Sequence, residues 1–150
     1  MKLTTFVSIA AIAWATTGVQ ANQDNTDHEE VYCLAQNIYF ESRNESNLGQ
    51  RAVAWVTLNR VEAQRYPDTI CEVIWQDRQF SWTHDGKSDN PTETDAWQNA
   101  QFNAMYVLHN REVQIDPTEG STHYHATYVN PYWSDDYERI VRIDDHVFYR

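Results

Sequence analysis

Between Glu30 and Arg43, apolar side chains recur at Val31, Leu34 and Ile38. That spacing marks one face of a helix with 3.6 residues per turn, and it predicts a helix over Asp27–Arg43. Three residues further along the same face stands Glu41, flanked by Tyr39 and Phe40. A carboxylate on an apolar stripe loses water, which penalises the charged form and raises its pKa. A carboxylic acid still protonated near neutral pH is what general acid catalysis needs. The bland alternative is a helix-end glutamate whose head reaches solvent.

The rest of the pattern divides the chain into a helical half and a strand-rich half. Asn44 to Leu48 reads as a turn, and Gly49 opens a second helix over about 50–65 through Val53, Val56 and Val61. Tyr66-Pro67-Asp68 breaks it, because proline restricts the residue before it. Ile70, Val73 and Ile74 predict a short helix over 69–76. Residues 77–91 have turn chemistry at Asp85-Gly86 and Asn90-Pro91, so a long surface loop is expected there. Thr92 and Asp95 form a variant capping box ahead of a fourth helix. That helix runs to His109 and buries Trp97, Ala100, Ala104 and Leu108. Beyond Arg111, residues 122–129, 139–143 and 147–149 are rich in β-branched and aromatic side chains, the mark of strands. Asp144-Asp145 would turn the last two into a hairpin. Helices first and strands last predict a single α+β domain with a small antiparallel sheet.

The N-terminus changes the picture of where this domain works. Lys2, the uncharged stretch Phe6 to Ala15 and the small-residue site Val19-Gln20-Ala21 have the form of a secretory signal peptide over residues 1–21. The apolar stretch is short for a membrane span. Export to the periplasm, cell envelope or exterior is therefore expected, with no membrane association after cleavage. Residues 22–29 are polar and read as a flexible lead-in, leaving 30–150 as the folded domain. A net charge of −11 on the 150-residue chain excludes nucleic acid as an expected partner, since that binding rests on cations neutralising phosphates. It suits a neutral polymer. The two cysteines, Cys33 and Cys71, would meet an oxidising compartment, where pairing is expected. Each also sits among apolar residues, where a free thiol packs well.

Two further groupings could carry chemistry. Tyr124, Tyr128, Tyr132, Trp133 and Tyr137 crowd the C-terminal half, and Trp82 lies in the central loop. Such rings offer flat apolar faces to sugars, or simply fill a core. His123-Tyr124-His125 would place two imidazoles on one face of a strand. A zinc site needs three or four protein ligands. Asp116, Asp135 or His84 could complete a set, but no spacing selects them. No metal and no cofactor is expected. Serine-nucleophile motifs and glycine-rich phosphate loops are absent from the sequence.

Several longer segments carry a family resemblance. The run Cys33-Leu-Ala-Gln-Asn-Ile-Tyr-Phe-Glu41-Ser-Arg43, then Gly49-Gln50-Arg-Ala-Val-Ala-Trp-Val-Thr-Leu-Asn59-Arg60-Val61, resembles the SleB/CwlJ-type cell wall hydrolases. Those include the spore cortex-lytic enzymes. Tyr66-Pro67-Asp68-Thr69-Ile70-Cys71, Gln79-Phe80-Ser81-Trp82, Asp116-Pro117-Thr118, Thr122 to Ala126, Tyr128 to Trp133 and His146 to Tyr149 continue it in order. The resemblance implies a lysozyme-like, lytic-transglycosylase-like α+β fold that cleaves peptidoglycan glycan strands. It puts the single catalytic Glu at Glu41. It implies Gln79, Ser81, Trp82, Tyr124, His125 and Tyr128 as substrate-binding candidates. Where the family has Glu-Ala-Arg-Gly-Glu, this chain has Glu41-Ser42-Arg43-Asn44-Glu45; Asn tolerates positive φ, so the turn is expected to survive. Glu45 is the second acid candidate if the reaction is plain hydrolysis; with Asn44 ending the helix, it otherwise reads as an exposed turn residue. No separate glycan-targeting domain is evident, so targeting would fall to the groove or to a regulatory or targeting protein. The competing readings are a metal-dependent amidase or peptidase built on His123 and His125, and a non-catalytic glycan-binding module built on the aromatic face.

Overall fold

The computed structural model describes residues 17–150, with side chains from residue 27 onward. Helices α1 (Thr17–Ser42), α2 (Asn47–Glu62), α3 (Ile70–Ile74) and α4 (Thr94–His109) precede strands β1 (His123–Ala126), β2 (Arg139–Ile143) and β3 (His146–Tyr149). The strands form one antiparallel sheet in the order β1-β3-β2. The α+β architecture and the segregation of helices from sheet are as the pattern predicts.

The apolar face of α1 packs against α2, α3 and α4. Leu34, Ile38, Ala54, Leu58, Ile74 and Val107 form its fully enclosed centre. Each Leu or Ile so buried contributes ~1.5–3 kcal/mol. The opposite face of α2 meets the sheet, where Ala52 and Val56 pack on Ile143 and Phe148. Helix α2 thus joins two small cores and fixes the sheet relative to α1. A disulfide joins Cys33 on α1 to Cys71 on α3. One buried amide locks the middle: Asn37 Nδ2 donates to Thr57 Oγ1 at 3.3 Å, and its Oδ1 accepts from the Trp82 indole Nε1 at 3.1 Å.

Several boundaries differ from the sequence expectation. Helix α1 begins at Thr17, not Asp27, so the stretch read as a lead-in is helical here. Most of the expected leader, residues 1–16, lies outside the described residues. Helix α2 starts at Asn47 because the Ser46 hydroxyl accepts from the Gly49 amide. The Thr92/Asp95 capping box does not form. The Thr92 and Glu93 amides donate instead to the Tyr39 hydroxyl, at 3.2 and 3.1 Å, and α4 begins at Thr94. The turn after α1 needs no left-handed residue at Asn44; among the described non-glycine residues, positive φ occurs at Arg78, Glu119 and Asp144.

Asp144 is the tip of the β2–β3 hairpin. Its carboxylate accepts from both the amide and the hydroxyl of Ser46. A Cβ on Gly49 would collide with that carboxylate. Glycine here lets the hairpin dock on the first turn of α2. Among the described residues, no helix is long and apolar enough to cross a membrane.

Candidate active site

Strand alternation decides what faces α1. In β1, Tyr124 and Ala126 point to the helical side, level with Phe148 and His146 of β3. His123 and His125 point to the other side. Tyr124 therefore reaches the last full turn of α1 and donates its hydroxyl hydrogen to Glu41 Oε2 at 2.9 Å. Arg60, on α2, is 6% exposed. Its Nε donates to the Thr122 carbonyl at 2.8 Å, just before β1. Its Nη1 is buried and has no hydrogen-bond partner.

Glu41 stands between two hollows. One, of about 210 Å³, is lined by Glu41, Arg60, Gln79, Phe80, Ser81 and Tyr124. The other, of about 250 Å³, is lined on its own side by Phe40, Arg43, Glu45, Ala126, Tyr128 and His146, and shares Glu41. A chain of sugars laid across both would place a linkage at Glu41.

Burial raises the pKa of Glu41 above the ordinary carboxylate range; the Tyr124 hydroxyl and then the Arg60 charge oppose it. Burial, reinforced by the Glu41 charge, pushes the Tyr124 hydroxyl well up, so it remains a hydrogen donor. A protonated Glu41 can give its proton to a leaving oxygen. Once ionised, it is stabilised by a hydrogen bond and a nearby cation. That combination suits a residue that must serve as acid and then as base.

The structure brings Glu41, Gln79, Ser81 and Tyr124 together, and sets Tyr128 and Glu45 on the far side of Glu41. Glu45 is not the exposed turn residue its position suggests, since its side chain is only 14% exposed. Trp82, expected to bind substrate, lines neither of these two hollows. It is buried, stacks on Phe40 with ring centroids 4.7 Å apart, and holds Asn37. It lines a neighbouring hollow with Phe40, Arg43 and Ser81. His125, expected to bind substrate, likewise lines neither hollow beside Glu41. It lies on the opposite sheet face, with Nδ1 against the Ala126 carbonyl and Nε2 against the Tyr149 hydroxyl, each at 2.9 Å. His123 packs there with Trp133 and Tyr137. Burial, Arg60 and Arg65 lower its pKa to about 4. Among the described residues, no three His, Cys, Asp or Glu side chains converge as a metal site. Asp116 instead accepts from Asn59, Thr118 and Gly120 and shapes the loop before β1.

Sequence reasoning passed over Arg60, although the signal was present. Val53, Val56 and Arg60 repeat the i, i+3, i+7 spacing that singled out Glu41. A second charge on an apolar helical stripe pointed to the same pocket from α2.

This geometry has relatives. Residues 44–149 match the family model described as Cell Wall Hydrolase. The chain belongs to that cell wall hydrolase family. It is 31% identical over 134 residues to a spore cortex-lytic enzyme of Halalkalibacterium halodurans, covering 88% of this chain and 37% of that protein. The chain thus spans little more than a third of that relative's length. Among solved structures, the catalytic domain of the Bacillus cereus SleB protein superposes with a TM-score of 0.65 at 30% identity, covering 82% of this chain and 91% of that one. The catalytic domain of the germination-specific lytic transglycosylase SleB from Bacillus anthracis gives 0.68 at 26% identity, covering 94% and 100%. The match to these catalytic domains is nearly end to end, and the fold is their α+β, lysozyme-like fold.

Proposed function

We propose that this chain is a lytic transglycosylase that cleaves the β-1,4 bond between N-acetylmuramic acid and N-acetylglucosamine in peptidoglycan, with Glu41 as its catalytic residue. The observation that carries the reading is Glu41 itself: desolvated, held by Tyr124, and set between two hollows. The Bacillus anthracis relative named as a lytic transglycosylase supports the same reaction class.

In this reading Glu41 protonates the glycosidic oxygen as the bond to the muramoyl anomeric carbon breaks. The 6-hydroxyl of the same muramoyl residue then attacks that carbon. Its proton passes to the Glu41 carboxylate, which restores the acid and leaves a 1,6-anhydro end. One carboxylate suffices. Tyr124 and Arg60 stabilise the ionised form between the two proton transfers, while Gln79 and Ser81 offer hydrogen bonds to the sugars. The amidase reading has less support, because His123 and His125 face away from Glu41 and His125 has partners at both nitrogens.

The leader-like N-terminus and the Cys33–Cys71 bridge favour an exported enzyme of the periplasm or cell envelope. N-terminal sequencing of secreted protein should begin at Asn22; retention of Met1 in a membrane fraction would oppose that.

The deciding experiment is mass spectrometry of purified peptidoglycan after digestion. Wild type should release 1,6-anhydro muropeptides. Glu41→Gln, folded by circular dichroism, should lose ~10²–10⁴-fold or more in rate. Freed stem peptides with intact glycan strands would favour an amidase, and intact polymer that merely binds the protein would favour a glycan-binding module.

A further inference from the structure

The hollow on the Glu45 side of Glu41 holds groups that the transglycosylase reaction leaves unused. Glu45 lies on the turn after α1. Gln50 Nε2 on α2 donates to its carbonyl at 3.2 Å. The Asp145 amide donates to its Oε2 at 3.3 Å. Backbone and carboxylate are therefore both fixed. His146 of β3 is 7% exposed, and its Nδ1 lies 3.9 Å from Glu45 Oε1. That buried nitrogen has no hydrogen-bond partner. The imidazole also stands edge-on to the ring of Tyr124, the residue that holds Glu41. Glu41, Glu45 and His146 all line the one hollow of about 250 Å³.

We infer that Glu45, held by the Asp145 amide with His146 beside it, is the general base of a hydrolytic branch at the same linkage, an inference that rests on the reading of Glu41 as the acid. Water in the hollow attacks the muramoyl anomeric carbon and loses a proton to the Glu45 carboxylate. The carbon–oxygen bond to the leaving sugar breaks with its electron pair on that oxygen. Glu41 protonates the oxygen. The proton on Glu45 then passes to solvent, solvent reprotonates Glu41, and the net change is the addition of one water. Two carboxyl groups with different tasks are the usual equipment of glycoside hydrolysis. Burial, with the Asp144 and Asp145 charges, raises the pKa of Glu45, which strengthens it as a base. Burial lowers the pKa of His146 and so favours its neutral form, which places an uncharged imidazole beside the Glu45 carboxylate.

The test is digestion of purified peptidoglycan in ¹⁸O-labelled water, with the ratio of labelled reducing ends to 1,6-anhydro ends read by mass spectrometry. Wild type should give both. Glu45→Gln keeps an oxygen for the Asp145 amide but cannot take the proton, so its ratio should fall about tenfold or more. His146→Leu should lower the ratio less. The ratio is internal to each digest, so partial unfolding scales both products alike. Only anhydro ends from wild type, or an unchanged ratio in Glu45→Gln, overturns the inference. Only labelled ends from wild type overturns the transglycosylase reading and leaves Glu45 standing as base. Uncut glycan from wild type overturns both.

Discussion

Tyr124 donates its hydroxyl hydrogen to Glu41 Oε2 at 2.9 Å, across 83 positions of sequence. The bond favours the ionised carboxylate and so works against burial, which favours the acid. Tyr124→Phe removes the donor and leaves the ring. The Glu41 pKa should then rise further. Activity that needs a protonated Glu41 is lost on the alkaline side, so that limb of the kcat/KM profile should move to higher pH. The maximum rate should fall roughly tenfold or more, the scale of a hydrogen bond to a charged group. An unmoved limb at an unchanged rate would show that the hydroxyl is not coupled to the reaction.

The same balance predicts a stability effect at Glu41. Its folded-state pKa lies above the unfolded value. The stabilisation this gives is fully present below the ordinary carboxylate pKa of about 4.3 and is lost as pH rises through the folded value. Above its folded-state pKa the ionised, desolvated carboxylate is a burden on the fold. Glu41→Gln should therefore melt a few degrees higher than wild type near pH 8, and the gap should close toward pH 4. Thermal scans across that range check the sign. A gap of constant size would locate the effect in packing.

How much of this could be read from sequence depends on whether the cause was local. Glu41 was legible because three apolar residues on its own helix define the face it shares. Arg60 was equally legible by the same rule, with Val53 and Val56. The order of helices and strands followed from periodicity. The partition of β1 was only half legible. Alternation puts His123 and His125 together, but which face meets α1 depends on the α2–sheet packing of Ala52 and Val56 against Phe148. That packing sent His125 away and brought Tyr124 in. Trp82 looked like a loop ring for sugar because its anchor, Asn37, lies 45 residues earlier. Glu45 looked exposed because the hairpin that covers it arrives a hundred residues later, tied down through Asp144 and Ser46. Capping at Thr92 failed for the same kind of reason, a competing long-range acceptor in Tyr39.

The Cys33–Cys71 bridge ties α1 to α3, on which the loop bearing Gln79 and Ser81 depends. It lies outside both hollows that flank Glu41. Replacing both cysteines by alanine should lower stability by ~2–5 kcal/mol. Turnover measured well below the melting temperature should stay within a few-fold of wild type. Reductant should lower the melting temperature of wild type and leave the double variant unmoved. A large loss of turnover at full folding would mean that the bridge also sets the Gln79–Ser81 wall.

Arg60 permits the sharpest separation of charge from packing. Its guanidinium stands over the Phe80 ring at 5.2 Å and donates to the Thr122 carbonyl. Its charge is felt by two groups on opposite faces of β1: it lowers the pKa of Glu41, and it helps hold His123 at about 4. Arg60→Met keeps an apolar stem and removes the cation. Arg60→Lys keeps a cation and loses the planar fork. Both leave the Thr122 carbonyl without its partner, so each should cost ~1–3 kcal/mol of stability. Only the Met variant should move both titrations upward, the alkaline limb of kcat/KM for Glu41 and the imidazole resonances for His123 in an NMR pH series. The Lys variant should leave both close to wild type. If the two variants shift alike, the effect comes from the lost Thr122 contact, and Arg60 is a strut of the pocket with no electrostatic part in setting Glu41.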